Sequence, residues 1–73
     1  MNIYSNFKYR VQIVVNTAEG KLIKGRKCFL GIETARSYFD SLKAQVAKDE
    51  KLFLDSRDNK EHEFKELENY EVN

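Results

Sequence analysis

The side chains that could catalyse a reaction are few in this sequence and lie far apart. His62 is the single histidine, and Cys28 is the single cysteine. His62 stands between Glu61 and Glu63, whereas a catalytic histidine needs several converging groups. Cys28 precedes Phe29 in an apolar stretch, a setting typical of a small core residue. We therefore expect no catalytic residue, no cofactor and no enzymatic activity.

Two stretches resemble ligand-binding loops in composition only. Gly20 and Gly25 have the spacing of a phosphate-binding loop, but Arg26 replaces the lysine that should follow and no hydroxyl residue comes next. The acidic stretch 55–63 lacks the Asp-x-Asp-x-Asp-Gly order of a calcium loop. We predict no metal site here, but a solvated acidic surface that includes Asp55, Asp58, Glu61, Glu63 and Glu66.

Charge is segregated along the chain, although the net charge is only +1. Residues 1–36 hold seven Lys or Arg against two Glu, whereas residues 37–73 hold six against ten Asp or Glu. This distribution predicts a dipolar molecule. Its basic part predicts a positive stripe, on the sheet face away from the helix, that can contact phosphates. The candidate binding residues are Lys8, Arg10, Gln12, Lys24, Arg26 and Lys27.

Two strands are predicted in the first half of the chain. Apolar and polar residues alternate over 6–16, which is the signature of a strand. A polar turn over 17–20 leads to a second strand over 22–30, whose phase stays open because Gly25 interrupts it. A bulge at Gly25 would bring three side chains onto one inward face. These are Ile23, Cys28 and Leu30.

The element that must be covered by these strands is an amphipathic helix predicted over 31–48. Its apolar residues recur at helical spacing and form one stripe. The stripe contains Ile32, Ala35, Tyr38, Phe39, Leu42 and Val46. We expect it to pack against Tyr9, Val11, Ile13, Leu52, Leu54 and Phe64.

The last third predicts a buried strand at 52–54 and a turn over 55–60. Residues 60–73 fit either a strand at about 60–67 or a helix, and we favour the strand because it would form a second hairpin. The whole chain then reads as a single α+β domain, 1–73. The expected architecture is a two-layer sandwich in ββαββ order, with one central helix packed on one face of an antiparallel sheet.

The order of the predicted elements is similar to that of a known domain family: a basic strand, a glycine turn, a second basic strand and a helix. Over Lys8–Val15, Gly20–Phe29 and Thr34–Leu42, the chain resembles the arm-site DNA-binding domains at the N-termini of tyrosine-family integrases. The resemblance implies that the strand residues which read a DNA groove would correspond to Arg10, Gln12, Lys24 and Arg26.

The leading hypothesis is a non-enzymatic adaptor or inhibitor that binds another protein through charged sheet and tail surfaces. Its size and its Lys-, Glu- and Asn-rich composition are typical of phage and mobile-element accessory proteins. The alternative is a small nucleic-acid-binding protein that uses the basic N-terminal hairpin. A homodimer would cover Val14 on the outer sheet face. With no apolar run of membrane length and one cysteine, we expect a cytoplasmic protein without a membrane partner.

Overall fold

A computed structural model describes residues 7–58 and 62–72. Its elements are β1 (Tyr9–Thr17), β2 (Gly20–Phe29), α1 (Ile32–Leu42), a 3₁₀ helix (Lys43–Gln45), β3 (Glu50–Ser56) and β4 (Lys65–Glu71). Within these residues the strands form an antiparallel sheet in the order β2-β1-β3-β4. The predicted α+β class is confirmed. The chain order differs from a strict ββαββ series because the 3₁₀ helix separates α1 from β3.

The helix is shorter than the sequence predicted. The α-helix ends at Leu42, and the backbone is already extended at Val46 (φ −77°, ψ 126°). A tight turn follows: the Glu50 carboxylate accepts the Ala47 N–H at 2.9 Å, and the Glu50 N–H donates to the Ala47 carbonyl at 3.0 Å. Val46 remains buried, so the last residue of the apolar stripe reaches the core from extended backbone.

The core lies between α1 and one face of the sheet, which we call the helix face. Its buried side chains are Val11, Ile13, Phe29, Ala35, Phe39, Val46, Leu52 and Leu54. Tyr9 packs against this cluster, so five of the six predicted partners of the helix stripe are confirmed. Phe64 is the exception, because it lies on the opposite face of the sheet beside Arg10. None of the helices in the described ranges is long and apolar enough to cross a membrane.

A bulge in β2 fixes the phase that the sequence left open. Ile13 pairs with Gly25 and Val14 pairs with Ile23, so Lys24 is the extra residue, one position before the predicted bulge. Phe29 pairs with Tyr9 and is buried on the helix face. The inward face proposed for Ile23, Cys28 and Leu30 is wrong. Cys28 lies opposite Arg10 on the other face, and Leu30 is 64% exposed beyond the end of the strand.

A second bulge explains the position of Phe64. Leu54 pairs with Glu68 and Asp55 pairs with Glu66, so Leu67 is the extra residue in β4. Before the bulge, Glu66 points to the face without the helix; after it, Tyr70 points to the core. The strand interpretation is confirmed, but the bounds 60–67 are wrong. Asp55 and Ser56 also belong to β3 rather than to the predicted turn.

Candidate binding surface

The strand β2 forms an edge of the sheet and is exposed along most of its length. In the described part of the chain it pairs with β1 alone. Residues 20–27 are all exposed, including the apolar side chains of Leu22 (61%) and Ile23 (46%). Four cations and no acid lie on this strand. We call β2 with Lys21, Lys24, Arg26 and Lys27 the basic edge strand.

The hairpin turn sets where the basic edge strand begins. Gly20 has a φ of +132°, a conformation that residues with a side chain rarely adopt. The Thr17 hydroxyl donates to the Gly20 carbonyl at 2.8 Å and accepts the Glu19 N–H at 3.3 Å. These bonds close the turn and start the antiparallel return of β2 along β1.

The predicted basic residues do not form one stripe, because the sheet separates them onto two faces. Arg10, Gln12 and Arg26 lie on the face opposite the helix, which we call the open face. Lys24 instead reaches Glu50 (Nζ to Oε2, 2.7 Å), because the bulge displaces it from the strand alternation. Lys27 is also on the helix face, above the rings of Phe29 and Tyr38. Lys8 is exposed just before β1.

A hydrogen-bonded network occupies the open face. The Arg26 guanidinium donates twice to Gln12 Oε1, at 3.1 and 3.0 Å. Gln12 Nε2 then donates to Asp55 Oδ2 at 3.1 Å, and Arg10 Nε donates to the same oxygen at 3.0 Å. Burial raises the pKa of the Asp55 carboxyl, and Arg10 opposes that rise. Arg10 and Arg26 are therefore already engaged within the sheet.

The ring of Phe64 also lies on the open face, a position that the sequence did not predict. The guanidinium carbons of Arg10 and Arg57 each lie 4.4 Å from the centre of the Phe64 ring. Arg57 Nε also donates to the Phe7 carbonyl at 2.9 Å. Stacking of this kind stabilises both guanidinium groups by about 0.5–1 kcal/mol each when exposed. No signal in the sequence pointed to it, because Phe64 fitted the core equally well.

Ion pairs between the two halves of the chain neutralise part of the segregated charge. Three pairs among the described residues join the basic half of the chain to the acidic half. They are Arg10–Asp55 (3.0 Å), Lys24–Glu50 (2.7 Å) and Arg36–Glu68 (2.6 Å). Hydrogen bonds from Lys24 and from the Ala47 N–H lower the pKa of Glu50. Opposite charges thus meet inside the molecule, which reduces the dipolar surface expected from the sequence.

The predicted acidic residues are likewise not one surface. Asp55 is buried, so it is corrected from a surface residue to a structural one. Asp58 and Glu63 are exposed near the β3–β4 connection, and Glu66 is exposed and accepts Asn69 Nδ2 at 2.8 Å. Glu61 falls outside the described residues. Across 7–58 and 62–72, no three His, Cys, Asp or Glu side chains are placed to share a metal ion.

A shallow, open groove of about 560 Å³ lies between the C-terminal end of β2 and one flank of α1. The rings of Phe29 and Tyr38 lie 5.3 Å apart between their centroids, and Lys27 Nζ lies 5.1 Å from the Tyr38 ring. We call this the β2–α1 groove. Its lining is Lys27, Phe29, Glu33, Thr34, Ser37, Tyr38 and Ser41. Sequence reasoning missed it by assigning Tyr38 to the core stripe, although Tyr38 is only half-buried at the stripe's margin.

No protein-family model matches this chain, and neither the curated proteins nor the solved structures contain a significant match. The resemblance to integrase arm-site domains therefore rests on sequence pattern alone, and the DNA-reading roles that it implies stay predictions.

Proposed function

We propose that this chain is a non-enzymatic interaction module that binds a partner protein through its basic edge strand. The observation that carries the proposal is that β2 is an edge strand, ten residues long, with both side-chain faces exposed over residues 20–27. An edge strand has a row of backbone donors and acceptors that another extended chain can bind. An adaptor and an inhibitor would both act in this way.

The side chains of β2 suit selective binding rather than indiscriminate pairing. Natural sheets protect their edges with short strands, proline, bulges and lysine. β2 has a bulge and lysines, but it is long and contains no proline. Its cations oppose pairing between two copies of β2, while Leu22 and Ile23 offer apolar area to a complementary partner.

The proposal is tested by affinity capture from a lysate of the source organism with three versions of the protein. A Leu22→Lys/Ile23→Lys variant changes the exposed apolar residues of β2. A Leu30→Lys/Leu67→Lys variant is the matched control, since those side chains are 64% and 48% exposed elsewhere. Far-UV circular dichroism verifies that all three are folded. We expect a protein captured by the wild type and the control but lost with the β2 variant; equal capture by all three would contradict the proposal.

A second candidate is nucleic-acid binding by the β1–β2 hairpin. The observation that favours it is a two-stranded ribbon with four cations and no acid on β2, since such a ribbon fits the major groove of duplex DNA. The test titrates duplex DNA at low and high salt. Binding that weakens steeply with salt and is abolished by Arg10→Glu with Arg26→Glu, in a variant that far-UV circular dichroism shows to be folded, would support this candidate. Absence of binding at low salt would eliminate it.

A further inference from the structure

We infer that the partner contributes an extended acidic segment that adds to β2 as a further strand and places an apolar or aromatic side chain in the β2–α1 groove. This inference rests on the proposed function and specifies the partner. In β-strand addition the main chain provides the hydrogen bonds, and pockets for alternate side chains provide the specificity. Both features are present side by side in this fold.

The groove is positioned to receive side chains from an added strand. Phe29 and Lys27 reach it from the edge strand itself, and Thr34, Tyr38 and Ser41 reach it from the flank of α1. Arg36 points to the other flank, where it binds Glu68 of β4. Alternate side chains of a strand added outside β2 would point to the helix face. There they would contact the rings of Phe29 and Tyr38.

Charge decides the chemistry of the segment. Lys27 Nζ lies over the two rings that floor the groove, 5.7 Å from Phe29 and 5.1 Å from Tyr38. Lys21 and Arg26 add positive charge along the same strand, which contains no acid, whereas Lys24 is paired with Glu50 and Glu33 is the one acid in the groove lining. An acidic segment would be attracted by Lys21, Arg26 and Lys27, while a basic one would be repelled.

A second copy of this chain fits less well, although β4 is an acidic edge strand. The helix-face side chains of β4 are committed within their own molecule. Tyr70 packs against the core, and Glu68 binds Arg36 at 2.6 Å. If β4 of another copy paired with β2, these side chains would stay under their own helix. The groove would remain empty, so a separate flexible segment is the better occupant.

The experiment selects binders from a random dodecapeptide library displayed on phage, with the folded full chain as bait. We expect enrichment of sequences that alternate Asp or Glu with apolar or aromatic residues. The fluorescein-labelled winner is then titrated against three proteins. Lys27→Glu should weaken its binding at least ~tenfold, because it reverses the charge at the groove. Lys43→Glu is the matched control, since Lys43 also lies over two rings, 5.2 and 5.5 Å away, on the other flank.

Amide chemical shifts locate the bound peptide, and the expected changes lie along β2 and around the groove. Enriched sequences without excess acid, or affinity that is equal for Lys27→Glu and Lys43→Glu, would overturn the inference. A dimer in sedimentation experiments that is abolished by Lys27→Glu would identify a second copy as the occupant and would also overturn it. If lysate capture depends on Leu22 and Ile23 while no acidic peptide is selected, the proposed function stands and only this inference fails. If lysate capture does not depend on Leu22 and Ile23 and no acidic peptide is selected, the proposed function and this inference are both contradicted.

Discussion

Arg10 Nε donates a hydrogen bond to Asp55 Oδ2 at 3.0 Å, although 45 positions separate the two residues in the chain. They face each other directly across β1 and β3, the central strands of the sheet. Gln12 donates to the same oxygen. A buried carboxylate on the open face is stable only when such donors satisfy it. This carboxylate therefore holds the polar layer of the sheet together.

Replacing Asp55 with Ala should lower the free energy of unfolding by about 1–3 kcal/mol, because the donors of Arg10 and Gln12 lose their shared acceptor. Urea denaturation followed by far-UV circular dichroism measures the loss. The control is Asp58→Ala, which removes an exposed carboxylate three positions away and should change stability by no more than about 0.5 kcal/mol. Equal effects of the two substitutions would show that the network does not stabilise the fold.

Glu50→Gln should change how stability depends on pH. Bonds from Lys24 and Ala47 lower the pKa of Glu50 from its ordinary value of 4.5. Its ionised form therefore stabilises the fold above that value, and this contribution is lost as the pH falls through the lower, folded-state pKa. We expect the wild type to melt at a higher temperature than Glu50→Gln at neutral pH and the gap to shrink on acidification. Glu71→Gln, at an exposed site, serves as control; a gap that stays constant with pH would contradict the assignment.

Asp55 should contribute to pH dependence with the opposite sign. Burial raises its pKa from the ordinary value of 3.8, so its ionisation costs more in the folded state than in the unfolded state. That cost to stability is absent below pH 3.8 and fully present above the raised pKa of the folded state. Asp55→Asn should therefore make stability fall more steeply on acidification than in the wild type, which melting curves over ~pH 3–7 can measure. An unchanged slope would mean that the pKa of Asp55 is not raised.

Gly20→Ala should destabilise the hairpin by about 1 kcal/mol or more, since Ala disfavours a φ of +132°. Space is not the reason, because a methyl group there would meet no atom within 4 Å. Gly25→Ala provides the comparison: it has the same open surroundings without a positive φ. That change should leave stability unchanged or raise it by about 0.4–1 kcal/mol. Urea midpoints of the two variants test the difference, and a loss of the same size at both sites would contradict it.

Two phenylalanines that look equivalent in sequence should differ in their effect on stability. Phe39 is almost fully buried in the core, so Phe39→Ala should cost about 3–5 kcal/mol. Phe64 lies outside the core under Arg10 and Arg57, and Phe64→Ala should cost about 1–2 kcal/mol from lost stacking. Denaturant unfolding of both variants checks this order. The reverse order would place Phe64 in the core after all.

Periodicity predicted the parts of the fold whose side chains follow a regular alternation. β1 has no irregularity of its own over Tyr9–Thr17, and α1 keeps one apolar face, so both were recognised. The bulges at Lys24 and Leu67 each reverse the phase within a strand. Gly25 indicated the first bulge to within one position, whereas no residue type marked the second. The first bulge was predicted with the opposite phase after it, so Cys28 was expected inward, and the second was not predicted, so Phe64 was placed in the core.

The candidate site was less predictable, because it depends on which strands become neighbours. The sequence showed Arg10 and Asp55 as members of two separate charged groups. Sheet order places them opposite each other, which turns expected surface charges into an internal pair. Lys27 and Tyr38 are eleven positions apart, and only the return of α1 beside β2 brings the ammonium over the ring. The sequence therefore predicted that the β1–β2 hairpin is basic, but it did not predict that the basic residues lie on two faces of the sheet.

The strand order β2-β1-β3-β4 also has a consequence for folding kinetics. The outer pairs, β1–β2 and β3–β4, join strands that are adjacent in the chain, whereas the central pair β1–β3 closes a long loop that contains α1. Local contacts form at small entropic cost, and closure of the long loop must be compensated by packing. We therefore expect the rate-limiting step to be the joining of the two hairpins, coupled to burial of α1 against the sheet.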